Sequence, residues 1–285
     1  MRKAALYACL AAFSAYVSTG AVLWAAQTRL IFEPLRNLVV APAELGFPVA
    51  DISIPVRGER VHAWWMPGSR ADGKLILYFH GNDGNVSTSV SETALLRELG
   101  FTVLAVDYRG YGESDGRFPS EASVYEDAEA ALAALVSWEI EPRDIYVYGH
   151  SLGAAIAIDL ASRHPELGGL IVESGFTSIY DMARREPQYG IYPVRMLLNQ
   201  RFDSISKVSR LELPVLYIHG TADQVVPYRM GEALYERSGG RKRFVTVRGG
   251  GHDDNAAVAP EVLRAAILEL TQATPPLEMV HVAAE

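Results

Sequence analysis

The segment Asp144–Pro165 reads DIYVYGHSLGAAIAIDLASRHP, and its three parts decide the fold. Ile145–Tyr148 is a β-rich run, Gly149-His150-Ser151-Leu152-Gly153 is a G-x-S-x-G, and Leu152–Arg163 is an alanine-rich helical pattern. A strand that turns sharply into a helix strains the backbone of the serine between them. Side chains two residues before and after that serine would collide with neighbouring elements, and both positions are glycine. The helix that follows points its amide-rich end at Ser151 and favours negative charge there. The competing interpretation is an ordinary βα turn that happens to flank a serine with glycines; the strand on one side and the helix on the other weigh against it.

The same alternation continues on both sides. β-rich runs recur at Asp51–Pro55, Val61–Met66, Leu75–His80, Val103–Asp107, Leu170–Glu173, Val215–His219 and Phe244–Val247. Most are unbroken apolar stretches, as strands buried on both faces of a parallel sheet require. Helical patterns lie between them at Val90–Leu99, Val124–Trp138, Met230–Arg237 and Glu261–Thr271, with Ser123 and Glu126 spaced as a capping box. This order predicts a doubly wound, mostly parallel α/β sheet. The first two runs follow each other with no helix between, which predicts an antiparallel hairpin at one edge. The tail from Thr274, with Pro275-Pro276, is expected to be loose.

A serine hydroxyl becomes a nucleophile only beside a base, and the base needs an orienting carboxylate. His252 follows the strand RFVTV in the loop Arg248-Gly249-Gly250-Gly251-His252, which is able to present an imidazole. Asp223 lies in PVLYIHGTADQVVP, just past another buried strand, and leaves room for one helix and one strand before His252. The order Ser151, Asp223, His252 matches the order in which this kind of sheet supplies nucleophile, acid and base. The other histidines fit less well. His150 adjoins the serine and should point away, His219 sits in a strand, His164 closes a helix, His62 is on the edge hairpin and His281 is in the tail. Asp203 is the main rival acid. Asp253 and Asp254 beside His252 suggest a metal, but no second ligand cluster accompanies them, so no metal is expected.

The oxyanion of a tetrahedral intermediate must be met by preorganised N–H donors. The amide of Leu152, next after the serine, is one candidate. The amide of Asn82 is the other, at the end of the buried run in LILYFHGNDGN (Leu75–Asn85). Asn85-Val86-Ser87 is also a glycosylation sequon, discounted because it lies so near this loop.

At the N-terminus, Ala4 to Ala26 run 23 residues without a charge, after Arg2 and Lys3 and before Arg29. A helix of that length spans roughly 34 Å, enough for a bilayer core of about 30 Å. A cleaved signal peptide is the alternative, but its apolar region is shorter, and Leu23 and Trp24 stand where small residues are wanted. The basic N-terminus favours an orientation with the rest of the chain exported, against which Arg29 and Arg36 weigh. The reading is therefore an anchor at 4–26, a catalytic domain at 27–273 and a tail at 274–285. Over the whole chain of 285 residues, 49% are hydrophobic, one is cysteine, and the net charge is −8. That composition excludes a disordered chain, an intramolecular disulfide scaffold and general nucleic-acid binding.

Taken together, these residues resemble an α/β-hydrolase, and more narrowly the membrane-anchored branch that includes depalmitoylases and monoacylglycerol or lysophospholipid lipases. The resemblance rests on Leu30-Ile31-Phe32-Glu33-Pro34, His80-Gly81-Asn82, Asp107–Ser114 (DYRGYGES), Gly149–Gly153, Phe176-Thr177-Ser178, Arg201–Ser204, His219–Asp223 and Gly251-His252, in order from residue 30 to 271. It implies an α/β-hydrolase fold with Ser151 as nucleophile, His252 as base and Asp223 as acid, and an architectural role for Asp107–Ser114. Asp83 and Asp253 stand where relatives often carry a small residue and Asn, which touches substrate preference rather than chemistry.

The segment Gly175–Leu213 is short for a lid and rich in apolar and aromatic residues. Phe176, Tyr180 and Tyr192 are its candidate substrate contacts, against the alternative that such a stripe is core packing. No phosphate loop, dinucleotide fingerprint or cofactor lysine is present, so no cofactor is implied. The function expected is hydrolysis of carboxylic esters or thioesters of small or lipid acyl compounds at a membrane. A serine aminopeptidase and a non-catalytic scaffold are the alternatives.

Overall fold

The computed structural model describes residues 2–69, 73–272 and 280–282. Helix α1 (Arg2–Ile31) is continuous, so the predicted boundary between residues 26 and 27 falls inside a helix. No proline or charge interrupts it between Lys3 and Arg29, and Pro34 stands three residues past its end. It is long and apolar enough to cross a membrane, and most of its large side chains are exposed.

Strand β1 (Glu33–Pro34) follows, then the hairpin β2 (Ala50–Val56) and β3 (Glu59–Met66), then β4 (Leu75–Phe79) and β5 (Asp83–Gly84). Helix α2 (Val90–Glu98), β6 (Thr102–Val106), α3 (Glu121–Ser137), β7 (Ile145–His150), α4 (Leu152–Ala161) and β8 (Gly169–Glu173) continue the alternation. The predicted lid carries three short helices, α5 (Ile179–Ala183), α6 (Val194–Leu197) and α7 (Ser204–Lys207). The chain closes with β9 (Val215–Gly220), α8 (Tyr228–Arg237), β10 (Lys242–Val247), α9 (Asn255–Val258), α10 (Pro260–Gln272) and β11 (Val280–Val282).

The main sheet, among the described residues, is ordered β11-β10-β9-β8-β7-β4-β6-β3-β2. β2 pairs antiparallel with β3 and β3 with β6; every other pair is parallel, as the unbroken apolar runs predicted. The hairpin is at the edge. Part of the tail expected to be loose, Val280–Val282, instead pairs with β10. Residues 274–279 and 283–285 of that tail lie outside the described residues.

One apolar layer packs α3, α4 and the lid side against the sheet, and a second packs α2 and α10 against the other face. Every residue of α4 is buried, and its alanines let it lie close to the strands. The predicted capping box of α3 is displaced by three residues. Ser120 is the N-cap: its hydroxyl accepts from the Ser123 amide at 3.2 Å, and Ser123 Oγ accepts from the Ser120 amide at 2.8 Å. A second serine thus does what Glu does in the usual box, which the Ser123–Glu126 spacing obscured.

The chain reverses its direction of sheet growth at β4, with β6 added on one side and β7 to β10 on the other. Loops at the carboxyl ends of strands beside such a reversal converge on a crevice. Asn82, Ser151, Asp223 and His252 all lie on loops of that kind, after β4, β7, β9 and β10.

Candidate active site

Ser151 is the N-cap of α4 and has φ 54° and ψ −115°, a conformation that non-glycine residues rarely adopt. Three features hold it there. Its amide donates to the Glu173 carbonyl on β8 at 3.0 Å. A Cβ at Gly153 would run into the carbonyl oxygens of Phe79 and His80, and one at Gly149 into the backbone of Gly153 and Ala154. The glycines are therefore set by close backbone approach on either side of the serine.

The loops after β9 and β10 bring Asp223 and His252 to the same point. His252 Nδ1 lies 2.8 Å from Asp223 Oδ2, and His252 Nε2 lies 2.9 Å from Ser151 Oγ. An ionised carboxylate can only accept, so Nδ1 carries the proton and Nε2 is left to accept from the Ser151 hydroxyl. Asp223 is itself well supplied with donors. Its Oδ1 accepts from the Val225 and Val226 amides, both at 2.8 Å, and His219 Nε2 lies 3.3 Å from Oδ2. Burial alone would push this carboxyl up. The hydrogen bonds from His219 and His252, with the Val226 amide, outweigh it and hold the group well below the usual carboxylate range. Asp203, the rival acid, is instead the N-cap of α7 in the lid.

The backbone of His252 is also fixed. Its carbonyl accepts from Ser174 Oγ and from His150 Nε2, each at 3.0 Å. Asn255 Nδ2 donates to both Glu173 Oε1 and Ser174 Oγ, and the Tyr148 hydroxyl donates to Glu173 Oε2 at 2.5 Å. A buried polar network thus stands behind the imidazole. Within it, burial works against a charged His150. Glu173, the His252 carbonyl, Asp253 and Glu92 outweigh burial and raise the affinity of His150 for a proton. His150 was expected only to point away from the serine; its contact with the His252 carbonyl, 102 residues on, is visible only in three dimensions.

The loop after β4 is braced on one side. The Asn82 carbonyl accepts from the Glu33 amide at 2.9 Å and from the Tyr111 hydroxyl at 2.5 Å, and Asn82 Nδ2 donates to the Ile31 carbonyl at 3.1 Å. Neither the Asn82 nor the Leu152 amide bonds to another described residue, and both residues line the cavity that holds Ser151. Behind this loop, Asp107 accepts from His62 Nδ1 at 2.9 Å and from the Val86 amide at 2.8 Å, with His80 Nε2 at 3.5 Å. Asn85 of the sequon is fully buried, and its side chain is spent on loop contacts.

The cavity has a volume of about 510 Å³ and a mostly apolar lining. Phe176 and Tyr192, two of the three lid residues predicted to meet substrate, are in that lining, with Ile179, Met182 and Leu197. Tyr180 is not among the lining residues; its ring lies under the Arg184 guanidinium, 5.8 Å from centroid to charge. Leu23, Gln27, Leu30 and Ile31, all from α1, also line it, and no sequence motif assigned them to a substrate cavity. Their spacing places them on one helical face, and Tyr16 and Gly20 extend that face by the same period.

Among the described residues, two groups of side chains bring metal-ligand atoms within 4.8 Å of one another: His150, His252 and Asp253, and Asp51, His62 and Glu113. In the first, a cation would have to take His252 from Ser151 and Asp223. In the second, both nitrogens of His62 already face carboxylates, Asp107 and Asp51.

The comparisons with known proteins agree with this architecture. Residues 71–204 match the family model described as serine aminopeptidase, S33. An uncharacterized protein of Mycobacterium tuberculosis is 35% identical over 88% of this chain and 88% of its own length. The α/β hydrolase domain-containing protein WAV2 of Arabidopsis thaliana is 31% identical over 85% of this chain and 86% of its own. In structure, an esterase of Pyrococcus furiosus superposes with a TM-score of 0.69 at 20% identity, over 85% of this chain and 97% of the esterase. Fold and site geometry together define a hydrolase of the doubly wound α/β type. The chain belongs to the α/β-hydrolase family.

Proposed function

We propose that this protein is a membrane-tethered serine hydrolase that cleaves carboxylic esters or thioesters of apolar acyl groups. The observation that carries this reading is the unbroken series of hydrogen bonds from Asp223 through His252 to Ser151, opening into a mostly apolar cavity. As Ser151 Oγ attacks the acyl carbon, His252 Nε2 takes its proton. The carbonyl oxygen becomes an oxyanion and is met by the Leu152 amide, in the first turn of α4, and the Asn82 amide. His252 then gives the proton to the departing alcohol or thiol, which leaves an acyl-Ser151. Water attacks that ester with its proton passing to His252, and collapse releases the acid and restores the hydroxyl. Asp223, kept ionised, holds the Nδ1 proton and stabilises the imidazolium at each transfer.

Helix α1 supports the tether. Its apolar run is long enough to cross a bilayer, and Arg2 and Lys3 favour an N-terminus inside with the catalytic domain exported. The chain's net charge of −8 gives it no attraction to anionic headgroups, so the helix rather than surface charge does the tethering.

A serine aminopeptidase is the second reading, favoured by the description of the matching family model. An aminopeptidase needs a carboxylate to grip the substrate ammonium. The cavity lining offers one, Glu186, which is exposed and accepts from Gln188. The rest of the lining suits an acyl chain better. p-Nitrophenyl esters of rising chain length, assayed beside an aminoacyl-nitroanilide, separate the two. Faster turnover of the esters is expected; faster turnover of the anilide overturns the esterase reading.

A further inference from the structure

The cavity over Ser151 has two unlike walls. One is the lid. The other is the face of α1 formed by Leu23, Gln27, Leu30 and Ile31. Leu23 belongs to the uncharged run, so a single cavity touches both the Ser151 hydroxyl and the segment suited to lipid.

The contact between helix and lid is built with polar groups, which fix its geometry. Gln27 is 7% exposed; its Nε2 donates to the Leu197 carbonyl at 2.6 Å, and its Oε1 accepts from the Asn199 amide at 2.8 Å. Asn199 Nδ2 returns a bond to the Trp24 carbonyl at 2.9 Å. Higher on the same face, the Tyr16 hydroxyl donates to the Ile191 carbonyl at 3.0 Å, and its ring stacks on Tyr192 at 4.8 Å. At the other end, Asn82 holds the Ile31 carbonyl, which joins the last turn of α1 directly to the loop beside Ser151.

Tyr16 lies ten residues before Ala26, or about 15 Å along the helix. If α1 crosses a bilayer, the tip of the lid that meets Tyr16 therefore sits below the lipid surface. The tip is suited to that depth, because Ile191 and Met196 are 68% and 84% exposed. In water, such side chains are a cost; against acyl chains they are not.

We propose that the last turns of α1 are a substrate-binding element. The acyl chain of a membrane-resident ester or thioester passes from the leaflet into the groove between α1 and the lid, and Leu23 forms the far wall of its pocket. This deepens the hydrolase reading above and rests on it. The helix is then both tether and specificity determinant, and the substrate reaches Ser151 without leaving an apolar environment.

The test uses the full chain in phosphatidylcholine vesicles with p-nitrophenyl butyrate and p-nitrophenyl laurate. Leu23→Trp should lower the laurate-to-butyrate ratio of kcat/KM by roughly fifteenfold, the effect of excluding about two methylenes at roughly fourfold each. Leu23→Ala, which lengthens the pocket, should raise that ratio, and this opposite sign separates pocket length from misfolding. Leu10→Trp, on the same helix but away from the cavity, should leave the ratio where it is. A ratio unmoved by both Leu23 variants, or moved as much by Leu10→Trp, overturns the inference. Failure of the wild-type chain on both esters is a different result, which removes the hydrolase reading itself and the inference with it.

Discussion

Gln27 of the N-terminal helix and Leu197 of the lid, 170 residues apart, are joined by a hydrogen bond of 2.6 Å from the side-chain amide to the backbone carbonyl. Gln27 Oε1 also accepts from the Asn199 amide at 2.8 Å and the Gln200 amide at 3.3 Å, so one buried side chain satisfies three backbone groups of the lid. Gln27→Ala leaves those groups without partners at a cost of about 1–3 kcal/mol. The loss should be local. Limited proteolysis is expected to cut within 175–213 faster in the variant, while the sheet keeps its protection; unchanged cleavage there contradicts the clamp.

His150 and Ser174 both hold the His252 carbonyl. Neither reaches the Ser151 hydroxyl among the hydrogen bonds of the described residues, so both act by positioning. His150→Leu should lower kcat about 10- to 100-fold through misplacement of the imidazole, with KM little changed. Ser174→Ala should act in the same direction and more weakly. Steady-state kinetics on a short ester checks this, and a rise in KM at constant kcat would mean that these residues bind substrate instead.

The stability of the edge hairpin should depend on pH through His62. Burial opposes its charge, but hydrogen bonds to Asp107 and Asp51 outweigh burial and raise the imidazole above its ordinary value. A raised folded value means that the stabilisation is complete below the unfolded value of about 6.5 and is lost as pH rises through the folded value. His62→Gln should therefore cost about 2 kcal/mol at pH 5.5 and clearly less at pH 9. Urea unfolding at the two pH values measures the difference; an equal cost at both contradicts the ion pair.

Gly153→Ala tests the turn that carries the serine. The added methyl would meet the Phe79 and His80 backbone carbonyls at the end of β4, which have no rotamer to yield. A cost of about 3 kcal/mol or more is expected. Thermal unfolding of the variant at an unchanged Tm would mean that α4 does not pack as described.

Much of this was legible in the sequence because the chemistry is written in short windows. Ser151 needs glycines at fixed offsets, and Asp223 and His252 each follow a recognisable buried strand. The edge hairpin was legible from the missing helix between its strands. The cavity wall was not. Arg29 reads as the flank of a membrane span that ends at Ala26, and only the docking of α1 on the lid turns Gln27 inward. A faint signal was present in the spacing Tyr16, Gly20, Leu23, Gln27, which keeps one helical face. Tyr180 is absent from the cavity lining for the converse reason, since an aromatic in a short lid helix can face either way and this one lies under Arg184. The support for the His252 carbonyl joins the end of β7 and the turn after β8 to the loop after β10, which no local pattern records.

The central claim is that Ser151 is a nucleophile activated by His252. A fluorophosphonate probe tests it directly, because the reagent phosphonylates only a serine whose proton can be removed. The account predicts that the wild-type chain gains one label, that digestion places it on Ser151, and that Ser151→Ala and His252→Ala give none. Equal labelling of wild type and Ser151→Ala would contradict it.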